Sequence, residues 1–98
     1  MDPQDLSDFL DAVRDIKGYL MALVVNYLGV SDKLDEYLVM LNKVGEEEVD
    51  PFEFYEMLIQ LRGTLGVLIT CYPETTPEIL PCVKIIDQLT RMVQWKYA

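Results

Sequence analysis

The chain has 98 residues, about half of them apolar, a formal net charge of −9 and no histidine. That length makes a single domain, residues 1–98, and the apolar share separates it from disordered chains. The charge opposes direct binding to nucleic acid or anionic lipid, and the missing imidazole removes the commonest general base, the Ser–His and Cys–His pairs and most zinc sites.

The first helix is expected to start at Asp2-Pro3, an aspartate N-cap followed by proline at the first helical position. Leu6, Phe9, Val13, Ile16, Leu20, Leu23 and Tyr27 follow at alternating spacings of three and four, which is a heptad seam. Gly29 closes it as the residue past the last turn. Ser31 is expected to cap a short second helix over roughly residues 32–44, with Leu34, Tyr37, Leu38, Leu41 and Val44 on its apolar face. Gly45 ends that helix, and Glu46–Val49 reads as a charged loop. Asp50-Pro51-Phe52-Glu53 opens the third helix with a capping-box pattern in which Asp replaces Ser or Thr. Its seam is Phe54, Leu58, Leu61, Leu65, Leu68 and Tyr72, and Pro73 stops it. Thr76-Pro77-Glu78 opens the fourth helix, with Ile79, Cys82, Ile86, Leu89, Val93 and Tyr97 as its seam. Pro81 falls one residue past the turn that tolerates proline, so a kink or a 3₁₀ opening is expected there. No period-two alternation competes. Short connections between long amphipathic helices predict an all-α fold, a four-helix antiparallel up-down-up-down bundle with a short second helix.

The acid is uneven. Residues 1–56 carry fourteen carboxylates against four bases, and residues 57–98 carry three against four. Apolar residues are uneven too. From Tyr19 to Leu28 the first helix is apolar nearly all round, with Met21 and Val25 opposite the seam. The third helix does the same late in its length, where Gly63, Val67, Thr70 and Cys71 are the outer positions. A helix that is apolar all round is buried on more than one side. An apolar interface formed by Met21, Val25, Leu28, Val67 and Ile85 is therefore expected at one end of the bundle. Burying one more Leu or Val is worth roughly 1.5–3 kcal/mol.

Several constellations have a functional reading beside a structural one. Asp8, Asp11 and Asp15, with Asp5 slightly off-line, form an acidic track on a rigid rod that could imitate a phosphate backbone, or simply a solvated face near a helix N-terminus. Glu46, Glu47 and Glu48 with Asp50 lack the spacing and glycine of a calcium loop, so no metal is assigned to them. Glu53 and Glu56 extend the acidic surface. Lys84, Gln88, Arg91 and Trp95 share the outer face of the fourth helix as a basic-aromatic stripe, a residue set common at interfaces. Arg62 lies close to the apolar stripe of the third helix and requires a partner, with Glu36 or an aspartate of the first helix in reach. Cys71 and Cys82 flank the last turn and are expected as free thiols, since the bridging geometry is demanding. Gly63 and Gly66 either admit a close helix or mark a bend.

These features point to a small acidic, non-enzymatic protein–protein interaction module. It would form a homo-oligomer, or dock on a larger assembly, through the apolar bundle end. The alternative is an acidic nucleic-acid mimic that inhibits a nucleic-acid-binding protein, as phages and mobile elements make; that rests on size and charge alone. No inward helix face carries paired carboxylates, so no catalytic, cofactor-binding or metal residue is assigned, and no cofactor. A cytoplasmic location is the default. The longest apolar run, Tyr19–Leu28 broken by Asn26, is too short to span a bilayer, and Asp2 and Asp5 stand where an export signal needs positive charge.

Overall fold

The structure is a computed structural model and describes residues 3–44 and 49–97; the side chains of Pro3, Asp5, Leu28 and residues 94–97 lie outside the description. The helices are α1, Pro3–Asn26; α2, Ser31–Lys43; α3, Pro51–Cys71; and α4, Thr76–Tyr97. A 3₁₀ turn, Leu28–Val30, joins α1 to α2, and a second, Pro73–Thr75, joins α3 to α4. Each helix packs on its neighbours in the chain, and α4 closes the ring against α1. This is the four-helix antiparallel up-down-up-down bundle, with α2 the short member.

The seams close on one another. Val13, Ile16, Leu20 and Leu23 of α1 are buried with Leu34 and Leu41 of α2, Phe54, Leu58, Leu61, Leu65 and Leu68 of α3, and Ile79, Cys82, Ile86, Leu89 and Val93 of α4. Phe9 and Phe54 meet across the diagonal at 5.6 Å between ring centroids, in a tilted arrangement that suits aromatic quadrupoles. Val30 and Thr75, one in each 3₁₀ turn and both outside the seams, are also fully buried. They plug the end of the bundle. Thr75 resolves its buried hydroxyl locally, Oγ1 donating to the Tyr72 carbonyl at 2.7 Å.

The third helix opens as its sequence predicts. Asp50 is extended (φ −61°, ψ 122°), Pro51 is the first helical residue, and the Asp50 carboxylate accepts from the Phe52 amide at 3.0 Å. Three local expectations are corrected. Ser31 is not a cap; it already has helical angles (φ −57°, ψ −44°), and Val30 precedes the helix. The α-helix of the first segment ends at Asn26, three residues before Gly29, and the chain tightens into the 3₁₀ turn instead. Pro81 lies inside continuous α-helix, and the 3₁₀ segment falls earlier, at Pro73–Thr75. The ring of Pro81 opposes the carbonyl four residues back, that of Pro77, which sits in the first turn. The proposed N-cap Asp2 and most of the loop 46–49 lie outside the described residues.

The shortness of α2 has a structural consequence. Its 13 residues span about 20 Å, against about 36 Å for the 24 residues of α1. The first turns of α1 therefore run beyond its end. Leu6, a seam residue, is 47% exposed there, and Leu10 is 40% exposed.

The distinction between seam and surface is measurable. Leu61→Ala, at a site with no exposure, is expected to lose about 2–5 kcal/mol of unfolding free energy. Val25→Ala, at 75% exposure, is expected to stay within about 0.5 kcal/mol of the parent chain. Urea titration followed by circular dichroism reads both; a large loss at Val25 would mean that this residue belongs to the core.

Candidate interaction surface

α1 and α3 share no side of the ring, so their outward faces point away from each other. Met21 (58% exposed) and Val25 (75%) stand out from α1, and Val67 (52%) stands out from α3. Ile85 of α4 is half-buried and packs against the core. The Leu28 side chain lies outside the described residues. The exposed apolar side chains thus divide between two flanks. Tyr72 and Leu80 add to the half of the bundle where α1 and α3 finish, whereas Leu6, Leu10 and Phe52 are exposed toward the other.

The acidic track is partly neutralised by its own helix. Asp8, Asp11 and Asp15 are exposed. Gln4 Nε2 donates to Asp8 Oδ1 at 3.0 Å, and Arg14 Nη2 lies 3.1 Å from Asp11 Oδ1. Such exposed pairs contribute about 0.2–1 kcal/mol at most, but they interrupt a line of bare charges. Asp5's side chain and Glu46, Glu47 and Glu48 lie outside the described residues. Glu53 and Glu56 of α3 face Glu36 of α2 across a groove of about 260 Å³ floored by Tyr37, Met40 and Met57. A hydrogen bond of 2.9 Å between Tyr37 Oη and Thr64 Oγ1 holds α2 to α3 beside it. Among the described residues, no group of His, Cys, Asp and Glu is placed to hold a metal ion.

The partner of Arg62 is Asp87 of α4, with Nε 2.7 Å from Oδ1. This corrects the expectation of Glu36 or a helix-one aspartate. Both of those belong to other corners of the ring, and Arg62 lies on the side of α3 that meets α4. Lys84 and Arg91 are exposed on α4, while the Trp95 side chain lies outside the described residues. No described helix is long and apolar enough to cross a membrane.

The outer face of α3 is a surface that periodicity only half revealed. Ile59, Gly63, Gly66, Val67 and Thr70 are exposed there, and Arg62, already paired, is the single charge between Met57 and Tyr72. A Cβ added at Gly63 or at Gly66 would meet nothing within 4 Å. Neither glycine is required by the packing of this bundle, although each costs roughly 0.8–1 kcal/mol of helix propensity relative to alanine. The bend considered for these residues is not present as a break: α3 is continuous helix from Pro51 to Cys71.

At the plugged end, Tyr27 is half-buried. Its phenol is held above its ordinary pKa of 10.0 by lost hydration, then by Glu78 and Glu74. Glu78 Oε2 is buried and has no hydrogen-bond partner among the described residues. Its place in the first turn of α4 gives it the favourable end of the helix dipole.

Comparison with protein-family models, with curated proteins and with solved structures yields no match.

The two cysteines are free, Cys71 exposed and Cys82 buried. Burial pushes the Cys82 thiol up from 9.0 to about 12. At pH 8 an aromatic disulfide reagent is expected to titrate Cys71 rapidly and Cys82 only after unfolding; two fast thiols would contradict the burial of Cys82. The raised value also fixes a sign. The unfolded chain releases this proton near pH 9 and the folded chain near 12, so the contribution is complete below pH 9 and is lost as pH climbs toward 12. Wild type should lose more stability over that window than Cys82→Val. Equal losses would remove Cys82 as the cause.

Proposed function

We propose that this protein is a small acidic, non-enzymatic interaction module. It binds another protein chain through exposed apolar side chains on the half of the bundle where α1 and α3 finish and α4 begins. One observation carries the reading. Among the described residues, eighteen apolar side chains form a closed core, yet ten other large hydrophobic side chains are exposed, five of them in that half: Met21, Val25, Val67, Tyr72 and Leu80. Met21 and Val25 lie together on the flank of α1, and clustered exposed apolar side chains on a small domain are a common mark of a protein contact. The carboxylates keep the chain soluble and give it a field that speeds encounter with cationic partners. On α1 the nucleic-acid mimic finds less support, because Gln4 and Arg14 engage Asp8 and Asp11, two of its carboxylates.

The experiment compares two sets of variants as immobilised bait. Met21→Glu, Val25→Glu and Val67→Glu place charge on the apolar side chains. Asp8→Asn, Asp11→Asn and Asp15→Asn together remove the acidic track. A protein retained by wild type from the source lysate is expected to be retained by the triple Asn chain and lost, at least tenfold, from one or more of the Glu variants. Loss from the Asn chain alone would transfer the function to the acidic face. If wild type neither retains a partner nor associates with itself, the reading fails.

A further inference from the structure

We propose that the groove between α2 and α3 docks an arginine of another protein, presented between apolar side chains of that protein. The groove lies beside the early turns of α3, in the half of the bundle where α1 starts. It is therefore a second surface, apart from the apolar half described above.

Charge sets the first requirement. At the α3–α4 corner, Arg62 and Asp87 bridge the two helices at 2.7 Å. At the α2–α3 corner the rims carry anions only. Glu36 stands on one side and Glu53 and Glu56 on the other, and no described lysine or arginine lines the groove. Among the described residues, none of the three carboxylates forms an ion pair. Like charges facing across a cleft repel, and the cleft walls focus their field. A cation seated between them relieves that repulsion on both helices at once.

The floor and flanks call for more than charge. Met57 is buried, and Tyr37 and Met40 are half-buried, which gives the groove of about 260 Å³ a thioether and aromatic floor. Tyr37 Oη is engaged by Thr64 Oγ1 at 2.9 Å, so its ring is what it leaves to an occupant. Beyond the rims stand two large apolar side chains. Phe52, 66% exposed, lies one turn before Glu56 on the same face of α3; Val39, 56% exposed, lies one turn after Glu36 on α2. Neither belongs to the core. The carboxylates are thus bracketed by apolar surface on both helices.

These features select one occupant. No group of carboxylates among the described residues is placed to hold a metal ion. Lysine concentrates its charge on a compact, strongly hydrated ammonium. Arginine spreads its charge over a planar fork that is weakly hydrated, donates to more than one carboxylate and stacks on an aromatic ring. Its methylene stem packs on thioethers. A free guanidinium compound would leave Phe52 and Val39 in water, whereas an arginine in a protein segment brings neighbours that cover them. Nucleic acid and anionic lipid are repelled by the same carboxylates. A second copy of this chain would bring a net charge of −9 with its arginines, so an unlike, basic chain is the better match.

The carboxylates are exposed, so a single arginine binds weakly, and a whole partner adds its further contacts. The intact, reduced, isotope-labelled chain is titrated with acetyl-Leu-Arg-Leu-amide while amide and methionine methyl shifts are followed by NMR. Saturable shifts centred on Tyr37, Met40, Met57 and Gln60 are expected, with a Kd of about 1 mM. Lysine in place of the peptide's arginine should weaken binding about threefold, and glutamine about tenfold. Acetyl-arginine-amide, which lacks the leucines, should bind several-fold more weakly; Phe52→Ser should weaken the tripeptide and not this shorter ligand. Glu53→Gln with Glu56→Gln should cost the tripeptide about tenfold. Both side chains are exposed, and circular dichroism checks that the helices remain. Asp8→Asn, Asp11→Asn and Asp15→Asn together should change the Kd less than about twofold, since those charges are screened from the groove. No saturation up to about 20 mM overturns the proposal. Equal binding of the lysine or glutamine peptide overturns it too, as does an equal loss from the α1 triple variant, which would make the groove one part of a diffuse acidic field. Val25→Glu should leave peptide binding unchanged, so this groove and the apolar half fail separately.

Discussion

Burial of four leucine-rich seams in one shared core is the constraint on which the rest of this structure depends. α4 is its keystone, because it alone packs on both α1 and α3 without being short. Remove its row of Ile79, Cys82, Ile86 and Leu89 and the two long helices have no common neighbour except the 13 residues of α2. A chain of 98 residues gains only a modest fraction of burial relative to larger domains. The middle of each seam is accordingly fully buried, while Leu6 and Tyr72 at the ends of theirs are exposed. The buried ends matter as well. Val30 and Thr75 close the core where the chain turns twice, so these connections are part of the packing as well as linkers.

Much of this was legible along the chain, and the reason is local. Spacings of three and four place Val13, Ile16, Leu20 and Leu23 on one stripe whatever the tertiary context. Asp50-Pro51 encodes its own helix start through one carboxylate and one missing N–H. What escaped was set by neighbours. Leu6 continues the seam perfectly yet is half in solvent, because the length of α2 decides how far up α1 is covered. Arg62 required a partner on periodicity alone, but which carboxylate answered depended on which helix lies at the next corner, and that was Asp87. Pro81 broke a propensity rule that continuous helix overrode, a familiar outcome when packing outweighs a single backbone bond.

Surface positions divide on the same line. Outward position is readable from period, so the exposure of Met21, Val25, Val67, Asp8, Asp11, Asp15, Lys84 and Arg91 matches the direction their spacing gives. Adjacency between helices is not readable from period. Met21 and Val67 were expected side by side at one pole, but they project from opposite corners of the ring. Ile85 was placed with them and instead rests against the core, since it lies on the side of α4 that meets another helix. Ile59 was overlooked because it is a single apolar residue off the seam.

Acid and neutrality on one molecule have to be considered together. A net charge of −9 acts at a distance when salt is low and fades beyond about 8 Å at physiological ionic strength. Short-range packing therefore decides which surface holds a partner, while the field decides which partners arrive. On α1 the carboxylates are tempered by Gln4 and Arg14; beside the α2–α3 groove Glu36, Glu53 and Glu56 stand together. On α3, beyond Glu56, one charge remains, Arg62, and Asp87 pairs with it; two glycines stand where an exposed helix face ordinarily carries Lys, Glu or Gln.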